Sequence, residues 1–305
     1  MYDIIIIGAG PAGLAAAVYG QRAEKKTLLI DEKGYGGQII NTPEVENYPA
    51  IQKISGFDFA NSLYQQAADL GAELTFEKAV SIEEQDGIKI VKTEGGAYEA
   101  KAVIVATGAK NRPLGLVREE ELTGRGVAYC ATCDGAFYRG KTVAVVGGGN
   151  TALEDAEVLS QLASKVYLIH RRDTFRGEER NVNRIQRLEN VEILLNQIPT
   201  AFLGEDKLSG LEIQDKMTGE KQVLELDGVF VAIGQMPDNA TFSRQLQLDD
   251  KGYVVAGEDC MTGTEGIFVA GDCRTKKVRQ LATAVSDGAV AALAAVEYIN
   301  HTCSE

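Results

Sequence analysis

The chain repeats itself. Displaced by 139 positions, Gly8, Gly10 and Gly13 fall on Gly147, Gly149 and Ala152, and Leu29-Ile30-Asp31 falls on Leu168-Ile169-His170 without a gap. Each copy runs from an apolar, β-rich stretch (Asp3-Ile4-Ile5-Ile6-Ile7; Thr142-Val143-Ala144-Val145-Val146) into a turn of small residues and then an Ala/Leu-rich stretch. The turns read Gly8-Ala9-Gly10-Pro11-Ala12-Gly13 and Gly147-Gly148-Gly149-Asn150-Thr151-Ala152. Strand, glycine turn, helix and second strand make up the βαβ unit that binds dinucleotides. One such pattern is weak evidence, since glycine-rich turns have many uses. Two copies in one register, each with a polar residue 18 positions past its third small residue, constrain the fold far more.

The expected fold is α/β, with two Rossmann-like dinucleotide-binding domains. At 305 residues the chain can fill two cores. The strand Ala102-Val103-Ile104-Val105 ends in Ala106-Thr107-Gly108 and closes the first module; Gly228-Val229-Phe230-Val231-Ala232-Ile233-Gly234 holds the matching place in the second. A third such strand, Ile267-Phe268-Val269-Ala270-Gly271-Asp272, follows after the second module has ended. It needs a sheet to join, and the first module is the natural host. The second domain is then inserted into the first: residues 1–113 and 245–305 form one, 114–244 the other. The crossings, near Arg112-Pro113-Leu114-Gly115 and Thr241-Phe242-Ser243, would act as a hinge.

In the first turn Gly8 permits the tight bend, Gly10 lets a pyrophosphate approach the backbone, and Gly13 lets helix pack on strand. Pro11 and Ala12 open the helix, whose N–H groups face the phosphates. Asp31 would accept hydrogen bonds from ribose hydroxyls and repel a 2′-phosphate, so this site suits FAD or NAD(H). A solvated acid at a strand end is the bland alternative. In the second copy Gly147, Gly149, Asn150, Thr151 and Ala152 repeat the turn, but His170-Arg171-Arg172, with Arg176 beyond, replace the acid. A 2′-phosphate needs positive charge and forked donors, so NADPH is favoured over NADH. The alternative, an exposed basic strand end, must explain the densest basic cluster in a chain of net charge −13. Near the C-terminus, Gly271-Asp272 ends an apolar strand and Arg279-Gln280 opens an Ala-rich helix from Leu281 to Ile299. Such an Asp can hold a ribityl hydroxyl, and a helix N-terminus can neutralise a reduced flavin. Together with the first turn they make FAD the better choice for site one. The strand ends Ala106-Thr107-Gly108 and Gly234 are further candidate cofactor contacts.

Between the two modules lies Cys130-Ala131-Thr132-Cys133-Asp134. Two intervening residues allow a small disulfide ring and a thiolate stabilised by its neighbours, and Asp134 is placed to act as general acid or base. A structural zinc site wants four ligands; the chain has only His170 and His301 and no second Cys-x-x-Cys, so no metal is expected. Cys260, Cys273 and Cys303 are singletons of the ordinary buried kind. Five cysteines make no secreted disulfide framework, and in a reducing compartment such a pair cycles. The acidic balance argues against nucleic-acid binding. The longest apolar runs, such as Ile4–Ile7, are far too short to span a bilayer, and a strand beginning at residue 3 leaves no room for a signal peptide. A cytoplasmic location is expected. Two dinucleotide sites and one dithiol imply electrons passing from one cofactor, through another, to a disulfide.

Taken together, these residues closely resemble the low-molecular-weight thioredoxin reductases. The likeness spans the chain: Gly8 to Gly13, Gly36-Gly37-Gln38, Val45-Glu46-Asn47-Tyr48-Pro49, Ala106 to Gly108, Cys130 to Asp134, Gly147 to Ala152, His170 to Arg176, Gly271-Asp272 and Arg279-Gln280. The run Gly126 to Gly135 is very specific to that family. The resemblance implies a homodimer with non-covalent FAD, NADPH as donor, and thioredoxin or a thioredoxin-like protein as acceptor. It implies that Cys133 lies against the flavin and takes its electrons, that Cys130 attacks the partner disulfide, and that Asp134 manages protons. Gln38, Asn47 and Gln280 match positions lining FAD, and one domain would swing against the other. Asp31 stands where many members carry Glu, and Ala50 where Gly is usual. Two rivals remain: a relative fed by ferredoxin or using oxygen, which would tend to lack the basic cluster, and a flavin redox sensor without turnover.

Overall fold

The computed structural model describes residues 1–42 and 44–302, so Cys303 lies outside the described residues. Internal contacts divide the chain into two compact units, Met1–Lys110 with Met236–Glu305, and Asn111–Gln235. The fold is α/β, with one Rossmann-type unit inserted into another in sequence. The divisions fall at 110/111 and 235/236, against the expected 113/114 and 244/245. The second differs most because the segment after Pro237 belongs to the first core. Asn239 is buried and donates to the Gly252 and Cys273 carbonyls, while Phe242 and Leu246 pack against Ile5 and Ile7. A short irregular segment carries no periodicity to say which core it serves.

In the first unit Tyr2–Ile7 pairs in parallel with Thr27–Ile30 on one side and Ala97–Val105 on the other, and Glu73–Thr75 extends the parallel edge. Ala97–Val105 divides its far edge between two partners. Ile88–Thr93 lies antiparallel along its first half, continued by Ala79–Gln85, and Ile267–Val269 lies parallel along its second. The pairing of Ile267 with Val103 puts the third apolar strand in the sheet expected to host it. Side chains alternate between faces. Ile4 and Ile6 meet the helices Pro11–Arg22 and Leu281–Thr302; Ile5 and Ile7 meet Phe242, Leu246 and Ile82. Burial on both faces is why the strand reads as an unbroken apolar run.

Leu281–Thr302 is, by length and composition, apolar enough to cross a membrane, which a count of uninterrupted apolar runs did not register. In this fold its Ala291, Ala292, Ala295 and Ile299 are core residues alongside Leu14, Ala16 and Ala17 of the first helix. A Cβ on its Gly288 would stand 2.1 Å from the Ala12 carbonyl oxygen, so the two helices approach to backbone contact.

The second unit holds a five-stranded parallel sheet in the order Val191–Leu195, Lys165–His170, Thr142–Gly147, Gly228–Ala232, Val127–Ala128. The helix Asn150–Ser160 covers one face through Leu153, Ala156 and Leu159. An antiparallel sheet of Gln197–Leu203, Gly210–Asp215 and Lys221–Glu225 covers the other, setting Phe202, Leu211 and Ile213 against Ala144 and Val146. The repeat survives at the level of single pairs. Ile4, Ile5, Ile6 and Ile7 face Thr27, Leu28, Leu29 and Ile30; Val143, Ala144, Val145 and Val146 face Val166, Tyr167, Leu168 and Ile169.

Candidate active site

The first glycine turn is shaped by contacts that a side chain would destroy. Gly8 has φ 106°, and a Cβ there would lie 2.3 Å from the Ala106 carbonyl oxygen; one on Gly13 would lie 1.9 Å from that of Gly8. The helix Pro11–Arg22 starts on Gly10 without a side-chain cap, leaving its first N–H groups for another acceptor. Gly37, at φ 60°, brings its backbone up to Gly10, and Gly36 N–H donates to the Ala9 carbonyl at 2.7 Å. Asp31 is locked onto the turn: Oδ2 accepts from Ala9 N–H at 2.8 Å and Oδ1 from Lys33 N–H at 2.9 Å. Each carboxylate oxygen retains a lone pair for a hydroxyl.

Asp272 sits in the short turn Gly271–Cys273 of the same unit, and its Oδ1 is buried without a hydrogen-bond partner. Burial raises its pKa, with Lys276 and Arg279 opposing. An orphaned buried acceptor is costly and marks a place for a donor. The turn is held from below: Asp287 accepts from Gly271 N–H (3.0 Å), from Arg274 (2.8 and 2.9 Å) and from Lys276 (2.8 Å). Arg279 donates to the carbonyls of Asp272, Arg274 and Lys276 and lies over the Tyr253 ring, so it shapes this loop. Asn47 Nδ2 donates to Gln280 Oε1 at 3.1 Å, which brings two expected flavin residues together; Gln38 is exposed in the 3₁₀ turn Gly37–Asn41. Thr107 donates to Asn239 at 2.9 Å. Open helix N–H groups, an anchored acid at the ribose position and an orphaned carboxylate oxygen fit a flavin dinucleotide. Asn239, Arg274 and Asp287 were missed from sequence, since each stands outside any motif.

The second turn uses the same scaffold differently. A Cβ on Gly147 would lie 2.2 Å from the Ala232 carbonyl oxygen, and the buried Ala152 takes the place of Gly13. The helix Asn150–Ser160 starts on Gly149 without a side-chain cap, and nothing lies within 4 Å of where a Gly149 Cβ would be. His170 departs from expectation. It is 4 % exposed, its ring lies where a Gly148 Cβ would need to be (2.1 Å), and it stacks on Phe175. Burial lowers its pKa, the Thr174 and Gly147 backbone hydrogen bonds opposing and Arg176 and Arg172 assisting, which favours the neutral imidazole, and Nε2 donates to the Thr174 carbonyl at 3.0 Å. It is the floor of the turn, set there because its ring packs where a glycine leaves room. Asn150 is likewise engaged, Oδ1 accepting from Glu178 N–H at 2.6 Å; Thr151 is exposed and Gly234 has φ 101° with open space around it. Arg171, Arg172 and Arg176 are exposed, and among the described residues their guanidinium groups form no ion pair or hydrogen bond.

Cys130 and Cys133 form a disulfide around the short helix Ala131–Asp134. Cys130 is half-buried and its Sγ accepts from Cys133 N–H at 3.2 Å; Cys133 is exposed, and Asp134, next in the chain, is half-buried. The strand leading in is clamped. Tyr129 donates to Glu119 at 2.7 Å, and that buried carboxylate also accepts from the N–H groups of Leu114, Gly115 and Leu116. Asp155, on Asn150–Ser160, has its pKa pushed up to about 7 by burial, the Ala131 amide opposing and Glu154 assisting. In sequence it lies in an acidic run that reads as a solvated helix face, so nothing distinguished it.

A family model described as pyridine nucleotide-disulphide oxidoreductase matches residues 2–288. A protein of Treponema pallidum (strain Nichols) described as thioredoxin reductase is 44% identical over 300 residues, covering 98% of this chain and 97% of its own. A thioredoxin reductase of Bacillus subtilis (strain 168) is 41% identical, covering 98% and 95%. The crystal structure of Lactococcus lactis thioredoxin reductase matches with a TM-score of 0.95 at 37% identity, covering 99% of this chain and 100% of that one. The chain therefore belongs to the pyridine nucleotide-disulphide oxidoreductase family, among its low-molecular-weight thioredoxin reductases.

Proposed function

We propose that the protein is a thioredoxin-disulfide reductase that draws electrons from NADPH and uses FAD as the intermediate carrier. One observation carries the reading: a Cys-x-x-Cys disulfide with an exposed second cysteine is built onto a unit that has its own dinucleotide-type turn. Residues 1–110 with 236–305 would hold FAD, and residues 111–235 NADPH. Gly8 to Gly13 would bind the flavin pyrophosphate, Asp31 the ribose, and Asp272 a hydroxyl through its orphaned oxygen. Arg171, Arg172 and Arg176 would bind the 2′-phosphate that separates NADPH from NADH. FAD, when bound, would relay an electron pair from nicotinamide to disulfide.

The dithiol chemistry balances on this chain's own residues. Two electrons and two protons convert the Cys130–Cys133 disulfide to two thiols, with Asp134 placed to hold a proton beside Cys133. The Cys130 thiolate attacks the partner disulfide, which forms a mixed disulfide and releases one partner thiol. Cys133 then attacks Cys130 Sγ, which releases the second partner thiol and closes the ring. Phe137, 74 % exposed four residues past Cys133, offers an apolar contact suited to a protein acceptor. A homodimer and a cytoplasmic location complete the reading, supported by the family resemblance and the cysteine usage.

The test separates the two halves of electron flow. In Cys133→Ser, NADPH should still bleach the flavin anaerobically while thioredoxin reduction falls by about a thousandfold or more. Full-rate thioredoxin reduction by that variant would refute the scheme. Failure of NADPH to bleach the unmodified protein would favour a ferredoxin-fed relative.

A further inference from the structure

The antiparallel sheet of the second unit does more than cover a core face, because one of its turns arrives at the arginine cluster. Lys216 opens the turn between Gly210–Asp215 and Lys221–Glu225. Its Nζ lies 3.4 Å from the Arg171 carbonyl oxygen. The backbone fixes that approach: Asn196, at φ 57°, donates its N–H to the Arg172 carbonyl at 3.2 Å and accepts from Lys216 N–H at 2.9 Å. Strand end, bend and turn are thus tied in series.

We infer that Lys216 is a specificity-determining residue of the second dinucleotide site, the fourth cation that receives a ribose 2′-phosphate. The inference rests on the NADPH reading above and extends it to an element outside the glycine-turn motif. The acid beside Lys216 forms no ion pair with it among the described residues, because its oxygens are turned to other donors. Asp215 Oδ1 accepts from the N–H groups of Met217 (2.7 Å) and Thr218 (2.9 Å), and Oδ2 accepts from Gln197 Nε2 (2.8 Å). Asp173 stands within the cluster and accepts from the Thr174 hydroxyl at 3.4 Å; Glu220 lies at the far end of the turn, its N–H on Thr218. Arg171, Arg172, Arg176 and Lys216 form no ion pair among the described residues, so four positive charges on one strand end and the turn tied to it remain for an anion to neutralise. Lys216 adds a point charge to the planar forks of the arginines, a combination suited to a dianionic phosphate and of little use to a bare ribose.

The test is calorimetric titration of the flavin-loaded protein with adenosine 2′,5′-bisphosphate and, separately, adenosine 5′-monophosphate. Lys216→Gln should weaken the bisphosphate about three- to tenfold and leave the monophosphate within about twofold. Lys216→Arg should restore most of the loss, and the gap between Lys216→Gln and the unmodified protein should close at high salt. Unchanged bisphosphate affinity in Lys216→Gln, with Arg172→Ala weakening it strongly, overturns the role of Lys216 and leaves the NADPH reading standing. If the unmodified protein does not prefer the bisphosphate, both fall together.

Discussion

Position for position, the two glycine turns solve one geometric problem with opposite chemistry. In the first, the residue after the leading glycine is Ala9, whose N–H donates to the Asp31 carboxylate; in the second it is Gly148, packed against the His170 ring. The pairs 9/31 and 148/170 are the same pair in the repeat, displaced by 139. In both units a later loop folds back on that residue's carbonyl, Gly36 N–H onto Ala9 and Arg176 N–H onto Gly148, each at 2.7 Å. The backbone frame is shared; the strand end differs. An acid tied to the turn would present acceptors to a ribose, whereas a ring tucked beneath it leaves three guanidinium groups exposed at the rim. On the proposed reading, specificity between these sites would be set by what the polar strand end does with its first side chain.

The largest expected effect tests that contrast in stability. Gly148→Ala should cost about 3 kcal/mol, because the methyl group meets the His170 ring; the mirror change Ala9→Gly should cost less than about 1 kcal/mol. Adding His170→Ala to Gly148→Ala should recover part of the loss, measured by urea unfolding as a double-mutant cycle. Additive losses would mean the ring is no floor. Next is the cofactor contrast. Arg171→Ala, Arg172→Ala and Arg176→Ala together should lower kcat/KM for NADPH by about a hundredfold and leave NADH nearly unchanged. An equal loss with both donors would show that the cluster does not read the 2′-phosphate.

A smaller effect has no counterpart in the first unit and is pH-dependent. Folded, Asp155 holds its proton up to about pH 7; unfolded, it releases it near the ordinary carboxyl value of about 4. Its contribution is intact below about pH 4 and is lost as pH rises through 7. Asp155→Asn should therefore stabilise the protein by about 2 kcal/mol at pH 8 and by almost nothing at pH 4. Unfolding curves at the two pH values check this, and an equal gain at both would show that the carboxyl ionises normally.

Much of the fold was legible because strand burial and turn sterics are local. Ile4–Ile7 must be covered on both faces, Gly8 must take a positive φ, and a disulfide between Cys130 and Cys133 needs only its own short loop. Register followed too, since a repeat without gaps forces equal pairings. Packing partners were not legible. No local pattern marks Asn239 as belonging to the first core, His170 as lying under Gly148, or Asp287 as accepting from Gly271 N–H together with Arg274 and Lys276. Arg279 read as a charge at a helix start and proved to be engaged with three carbonyls and the Tyr253 ring.

From the chain alone came two dinucleotide turns, the insertion of one module in the other, the dithiol and the opposite charge at the two strand ends. Each is written in contiguous residues whose backbone demands or charges act over a few positions. Folding in three dimensions assigned the orphaned oxygen of Asp272, the burial that raises the Asp155 pKa and the approach of Lys216 to Arg171. These depend on segments tens of residues apart being brought to within a hydrogen bond, and burial and contact at that range are properties of the packed chain.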